Sequence, residues 1–159
     1  MTSELTTELV WQELEKQLFA VLGMVTAGNE ARTVGIVYVV HQRRLYITSQ
    51  ESAWKVRHIA QNPCVSLTVP IHKRIPVMPW IKIPAATITF SGTADILKPA
   101  DLPADLLQKL FRGMAVDADQ LAATRVIAVT PAGDFITYGV GVSLMTMRDT
   151  AKARGRVAV

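Results

Sequence analysis

The chain has 159 residues, half of them hydrophobic and 19% charged, with a net charge of +4. That is enough for one compact domain with a real core, and it excludes a disordered chain. No apolar run approaches the roughly 20 residues that span a bilayer, and one cysteine, Cys64, allows neither an internal disulfide nor a Cys metal cluster. The first residues are acidic and polar, unlike a signal peptide. The expectation is a single domain over residues 1–159, without a membrane anchor, in a reducing, cytoplasmic setting.

Residues 4–22 predict an amphipathic helix within an N-terminal helical segment, 1–22. Leu5, Leu9, Leu14, Leu18, Val21 and Leu22 recur at near-helical spacing, and Gly23 suits a C-cap. Two strands are expected around a Gly28-Asn29 turn. His41 to Arg44 form a second polar turn, and a third strand follows, giving an antiparallel meander. A short helix over 53–61, with Ser52 as N-cap and Asn62-Pro63 as stop, precedes a strand at 65–69. Pro70, Pro76, Pro79 and Pro84 make residues 70–84 an irregular, lid-like connection. A long strand covers 85–97, where Gly92 suggests a bulge or bend. A second amphipathic helix is expected over 101–115, capped by Asp101, with Leu106, Leu107, Leu110, Phe111 and Met114 buried. A final hairpin would turn over Pro131 to Asp134, leaving residues 140–159 as a basic tail. About six strands, mostly sequential, and three helices argue an antiparallel barrel with peripheral helices.

The charge is uneven. Residues 52–94 hold Lys55, Arg57, Lys73, Arg74 and Lys82 and no Asp or Glu; the tail adds Arg148, Lys152, Arg154 and Arg156 against Asp149. Such a field suits a phosphorylated ligand, nucleic acid or an anionic membrane face, or is simply a solvated surface.

Several chemistries have no sequence support. There is no Walker loop, no dinucleotide Gly-x-Gly-x-x-Gly and no Gly-x-Ser-x-Gly elbow. His41, His58 and His72 lack metal-ligand spacing. If the protein is an enzyme, a cofactor supplies the hard chemistry. Lys55 is the anomaly. A first helical turn prefers Asp or Glu, because its free N–H groups and the macrodipole make it positive. A cation there becomes favourable if an anion lies between. The first-turn N–H groups, the Ser52 hydroxyl, Lys55 and strand-end Thr48 and Ser49 would then converge on a phosphate. The alternative is a solvated lysine whose penalty, about 0.3–1 kcal/mol, is tolerated. Trp54 would be a core anchor or an aromatic wall, the former being the commoner role. Trp80 would pack on a partner subunit or lid a site. Arg32 would bind an anion or snorkel.

The stretch from Ala31 to Val69, followed by "ATITFSGTADIL", resembles the pyridoxamine 5′-phosphate oxidase-like family of flavin-binding split β-barrels. The resemblance covers residues 24–97. Ser-x-x-Lys before a short helix, Asn-Pro at its end and the Gly-containing strand carry it, in that order and spacing. It implies a six-stranded split barrel, a homodimer and FMN at the dimer interface. By position, Arg32 to Val37 would lie along the flavin, with Arg32, Thr33 and Val34 among the contacts and Arg32 near its phosphate or ring; Thr48 and Ser49 would contact its ribityl chain or phosphate, and Lys55 would bind the phosphate. Thr87 stands where family oxidases place a glutamine reaching the flavin from the other subunit. Trp54 replaces their usual arginine. The Arg-Leu-x-Pro ending that helps hold pyridoxal phosphate is missing, so vitamin B6 oxidation is not the expected activity. An FMN-dependent oxidoreductase acting on a small molecule is the first expectation. A deazaflavin held by Lys73, Arg74 and Lys82, or haem with His58 or His72, is the second. A non-catalytic flavin module or nucleic-acid binder ranks last.

Overall fold

The computed structural model describes residues 4–159. Helix α1 (Thr7–Lys16) opens the chain and is capped by Thr6, whose Oγ1 accepts from the Leu9 amide. Strands β1 (Phe19–Val25), β2 (Ala31–Val37), β3 (Val39–His41) and β4 (Arg44–Gln50) follow as a meander. Helix α2 (Trp54–Gln61), β5 (Cys64–Ile71) and β6 (Ala86–Leu97) come next. Helices α3 (Ala104–Phe111) and α4 (Ala118–Ala123), β7 (Thr124–Tyr138), the short α5 (Thr150–Ala153) and β8 (Arg154–Ala158) complete the order.

Every strand pairing is antiparallel, in the order β2-β1-β5-β6-β7-β4-β3, with β8 added to β7. The first and last strands of that path, β2 and β3, are consecutive in the chain and separated only by Tyr38. The path therefore returns on itself, and the sheet curls into the expected split barrel with peripheral helices. Alternation explains the core: Ala20, Leu22 and Met24 of β1, and Val65, Leu67, Val69 and Ile71 of β5, all point inward. Phe135 sits at the centre, with Trp11 and Phe90 each edge-on to it at 5.4 Å.

The turn at Gly28-Asn29 is present, with Asn29 left-handed (φ 60°). The β3–β4 turn places Gln42 and Arg43 at φ 48° and 57°, the primed hairpin geometry that matches strand twist. Gly92 is required by close approach: a Cβ there would lie 2.4 Å from the Thr130 carbonyl oxygen.

Four expectations are corrected. The helix predicted over 4–22 ends at Lys16, and residues 1–3 of the N-terminal segment lie outside the described residues. Leu18 is exposed, while Val21 and Leu22 belong to β1, because the run from Phe19 alternates in burial with period two. The second helix is shorter than 101–115. Pro103 interrupts it, Asp101 closes a separate 3-10 turn, and Arg112 (φ 52°) and Gly113 (φ 69°) end it. Of its predicted stripe only Leu106 is fully buried, and Met114 is 67% exposed. The segment from Pro131 to Asp134 is no hairpin. Gly133 (φ 77°) lets β7 bulge and continue, shifting its register on β6 between Thr89 and Ser91. The basic tail expected over 140–159 also holds a strand that the sequence reading does not include, β8 at residues 154–158.

Tyr38 links the barrel seam to α1. It is 1% exposed, and its hydroxyl donates to the Leu14 carbonyl at 2.8 Å. Burial pushes this hydroxyl above its ordinary value of 10.0. Because the folded value exceeds the unfolded one, the stability tied to neutral Tyr38 is complete below about pH 10 and is lost as pH rises through it. Tyr38→Phe should cost about 1–2 kcal/mol at neutral pH in urea unfolding. It should also flatten the alkaline decline in stability expected of the parent chain above pH 10.0.

Candidate functional site

The strand-to-helix junction from β4 to α2 is held firmly. The Ala53 amide donates to the Gln50 carbonyl (3.0 Å), and the Glu51 amide donates to that of Ala123 (2.8 Å). The Glu51 carboxylate pairs with Arg125, which also donates to the carbonyls of Ala122 and Thr124. Arg125 stands opposite Ser49 in the β4–β7 register. The start of α2 is thus fixed to β7 by a nearly buried arginine.

Ser52 is not the N-cap. Ala53 occupies that position in extended conformation, with no side chain capping the helix. The first turn contains no acid. Lys55 is partly buried and joins no ion pair among the described residues. Val56 and Ile59 are the buried face of α2, which packs against β1 and β6. That packing fixes the helix direction, leaving its positive end beside a lysine with no compensating carboxylate.

The other predicted residues separate by face. Thr48 is exposed, whereas Ser49 is 8% exposed and its hydroxyl makes only a long 3.4 Å contact to the Gln50 carbonyl. Adjacent strand residues point to opposite faces, so these two hydroxyls do not converge as expected. On β2, Val34 packs on the barrel core and Thr33 is exposed. Arg32, on Val34's side, is already paired with Glu30 at 2.6 Å. β2 does contact β4, the strand that leads into the α2 junction.

Trp54 is no core anchor. It is 39% exposed, with its ring edge-on to His58 at 5.7 Å. Thr87 belongs elsewhere. The β5–β6 register puts Thr93 opposite Cys64, near the end of α2, and Thr87 opposite Pro70. The strand from Thr87 to Thr93 rises by roughly 20 Å. Thr87, Tyr138 and Arg154 instead form a cross-strand row over β6, β7 and β8, bordering an open groove of about 490 Å³. Sequence reasoning misses Tyr138 and Arg154, because the tail carries no strand signal strong enough to place it beside β7. It also misses that Lys73 is committed, donating to the carbonyls of Gly139 and Val142 at 2.5 and 3.0 Å. Among the described residues, no group of three or more His, Cys, Asp or Glu could hold a metal, and no helix is long and apolar enough to cross a membrane.

Residues 6–133 match the family described as pyridoxamine 5′-phosphate oxidase. The chain belongs to that family. No curated protein matches it by sequence. Among solved structures it is similar to an F420 reductase, with 21% identity over 78% of this chain and 93% of that one, TM-score 0.55. It is also similar to a FAD-binding protein from Mesorhizobium loti, with 17% identity over 80% and 90%, TM-score 0.59. A haem-binding protein from Mycobacterium smegmatis shares 12% identity over 99% of this chain and 60% of that one, TM-score 0.67. At these identities the likeness shows the split-barrel fold that the family shares.

The missing cap has a measurable consequence. Ala53→Asp should stabilise the chain by about 1 kcal/mol in urea unfolding, since it supplies both a capping oxygen and a favourable charge at the helix N-terminus.

Proposed function

We propose that this member of the pyridoxamine 5′-phosphate oxidase family binds FMN and acts as a flavin-dependent oxidoreductase on a small molecule other than pyridoxamine phosphate. The observation that carries the reading is the start of α2. Its first turn has no side-chain cap and no acid, and a lysine without a carboxylate partner stands in it. This donor set fits a phosphate: amide N–H groups and an ammonium, with no competing negative charge. Lys55 and the first-turn amides would hold the phosphate. Arg32 and Val34 would face the rest of the molecule, and the Glu51–Arg125 pair would keep the junction rigid. When bound, the flavin supplies the hydride or electron exchange at its ring, while the protein binds, orients and shields it. Trp54, half-exposed beside Lys55, is placed to shield rather than to anchor.

Thr87 serves the same cofactor only from a second copy, so the reading includes a homodimer in which the row of Thr87, Tyr138 and Arg154 approaches the partner's flavin. The domain would act as one unit over residues 1–159.

A deazaflavin is the second reading, supported by the fold shared with an F420 reductase. Its polyanionic tail would have Arg74 and Lys82 but not Lys73, whose ammonium is already taken up by two carbonyls. Haem would be signalled by a Soret band, and its appearance would displace both flavin readings.

FMN titration followed by flavin fluorescence tests the proposal. Lys55→Ala should weaken FMN by about tenfold to a hundredfold, the loss of one charge-assisted contact worth about 1.5–3 kcal/mol. Ala53→Asp should weaken it as well, because its carboxylate competes for the same amides. Undiminished FMN affinity in Lys55→Ala, or no FMN binding by the parent chain, would sink the assignment. Light scattering should report a dimer at micromolar concentration, and a monomer would remove the role given to Thr87.

A further inference from the structure

The connection between β5 and β6 and the turn after β7 border a half-open cavity of about 400 Å³. Its walls are largely aliphatic, with Ile75, Ile81, Ile83, Leu144 and Met147 among them, and Lys82 and Arg148 also line it. The volume lies in the range of small-molecule sites, and so does the mix of apolar walls with few polar groups.

One wall is built to stay in place. Lys73 reaches across to the carbonyls of Gly139 and Val142, and the Tyr138 hydroxyl donates to the Met147 carbonyl at 2.8 Å. Met147 is 3% exposed and packs over Gly139, where any Cβ would lie 2.6 Å from its methyl. On the opposite wall Pro76, Pro79 and Pro84 limit the backbone.

The charges are unbalanced. Lys82 and Arg148 join no ion pair among the described residues, and no acid lines the cavity. The neighbouring acid, Asp149, is engaged elsewhere: it accepts from the amides of Ala151 and Lys152 and pairs with the Lys152 ammonium at 3.5 Å. A comparable apolar groove, at Lys98, Leu107, Leu121 and Arg125, has among the described residues one unpaired cation rather than two, because Glu51 already neutralises its arginine.

We propose that this cavity binds an amphipathic anion: a mid-sized apolar chain or ring carrying one carboxylate or phosphate. The apolar body fills the aliphatic walls, and Lys82 and Arg148 pair with the head group. None of its lining residues is among those assigned to FMN, while Lys82 is also the residue the deazaflavin reading would use, so loss of FMN binding leaves this proposal standing and a deazaflavin seated on Lys82 would displace it.

Decanoate serves as the probe, titrated calorimetrically into the full chain. The expected result is saturable one-site binding. Decan-1-ol, with the tail but no charge, and acetate, with the charge but no tail, should each bind at least about tenfold more weakly. Lys82→Ala combined with Arg148→Ala should weaken decanoate by at least about tenfold, while Lys98→Ala leaves it unchanged. Raising salt should weaken decanoate but not decan-1-ol, a readout that needs no variant. The proposal is overturned if decanoate does not saturate, if decan-1-ol binds equally well, if salt has no effect, or if Lys98→Ala rather than the double variant loses binding.

Discussion

Strand β7 is the element that the rest of the molecule is measured against. Its fifteen residues pair with β6 along one edge, while the other edge is shared, first by β4 and then by β8. The bulge at Gly133 lets one strand serve both neighbours without breaking. Where β4 runs along β7, Arg125 falls opposite Ser49 and its guanidinium reaches Glu51. The junction that launches α2 is therefore set by β7, distant in the chain but adjacent in the sheet. A ladder register, not a loop, decides where the helix start faces.

Helix α2 answers two demands with few residues. Val56 and Ile59 close the barrel against β1 and β6, and this fixes the axis. With the axis fixed, the amides of the first turn have a set direction; the Ala53 carbonyl takes that of Val56, but no side chain caps the amides of Trp54 and Lys55 and no acid stands in the turn. A lysine there is unfavourable by about 0.3–1 kcal/mol in isolation. Such a local conflict between propensity and placement is characteristic of a position shaped by binding rather than by folding.

Much of the architecture is legible in the sequence because it rests on short-range signals. The Gly28-Asn29 turn, the polar turn at His41 to Arg44 and the Asn62-Pro63 stop each depend on residues that only a few backbone conformations suit. Sequence and structure part where two periods compete or where a partner is distant. Leu18, Val21 and Leu22 fit a helical stripe, yet the strand alternation from Phe19 onward has β2 and β5 to satisfy it. Pro131 to Asp134 carry turn chemistry, but β6 continues past them and holds β7 extended. At the candidate site, Lys55 stands out through its clash with the helix dipole, a purely local signal. The cap lies one residue beyond Ser52, and strand alternation divides Thr48 from Ser49 although they are neighbours in sequence. Tyr138 and Arg154 give no local sign, because only the β7–β8 pairing brings them to Thr87.

The Thr7 hydroxyl donates to the Ala158 carbonyl at 2.7 Å, across a separation of 151 residues, and Leu5 lies over Gly155. Helix α1 is thus clasped to β8 across most of the sequence. The apolar side of α1 has other partners, Trp11 lying edge-on to Phe135 of β7 and Leu14 meeting Tyr38, so β8 adds a further clasp to a helix already seated on the barrel. A contact of such sequence separation carries a large loop-closure entropy and belongs to the class of pairings that slow folding. The hydroxyl of Thr7 and the bare backbone at Gly155 are therefore where the two distant segments are fastened together.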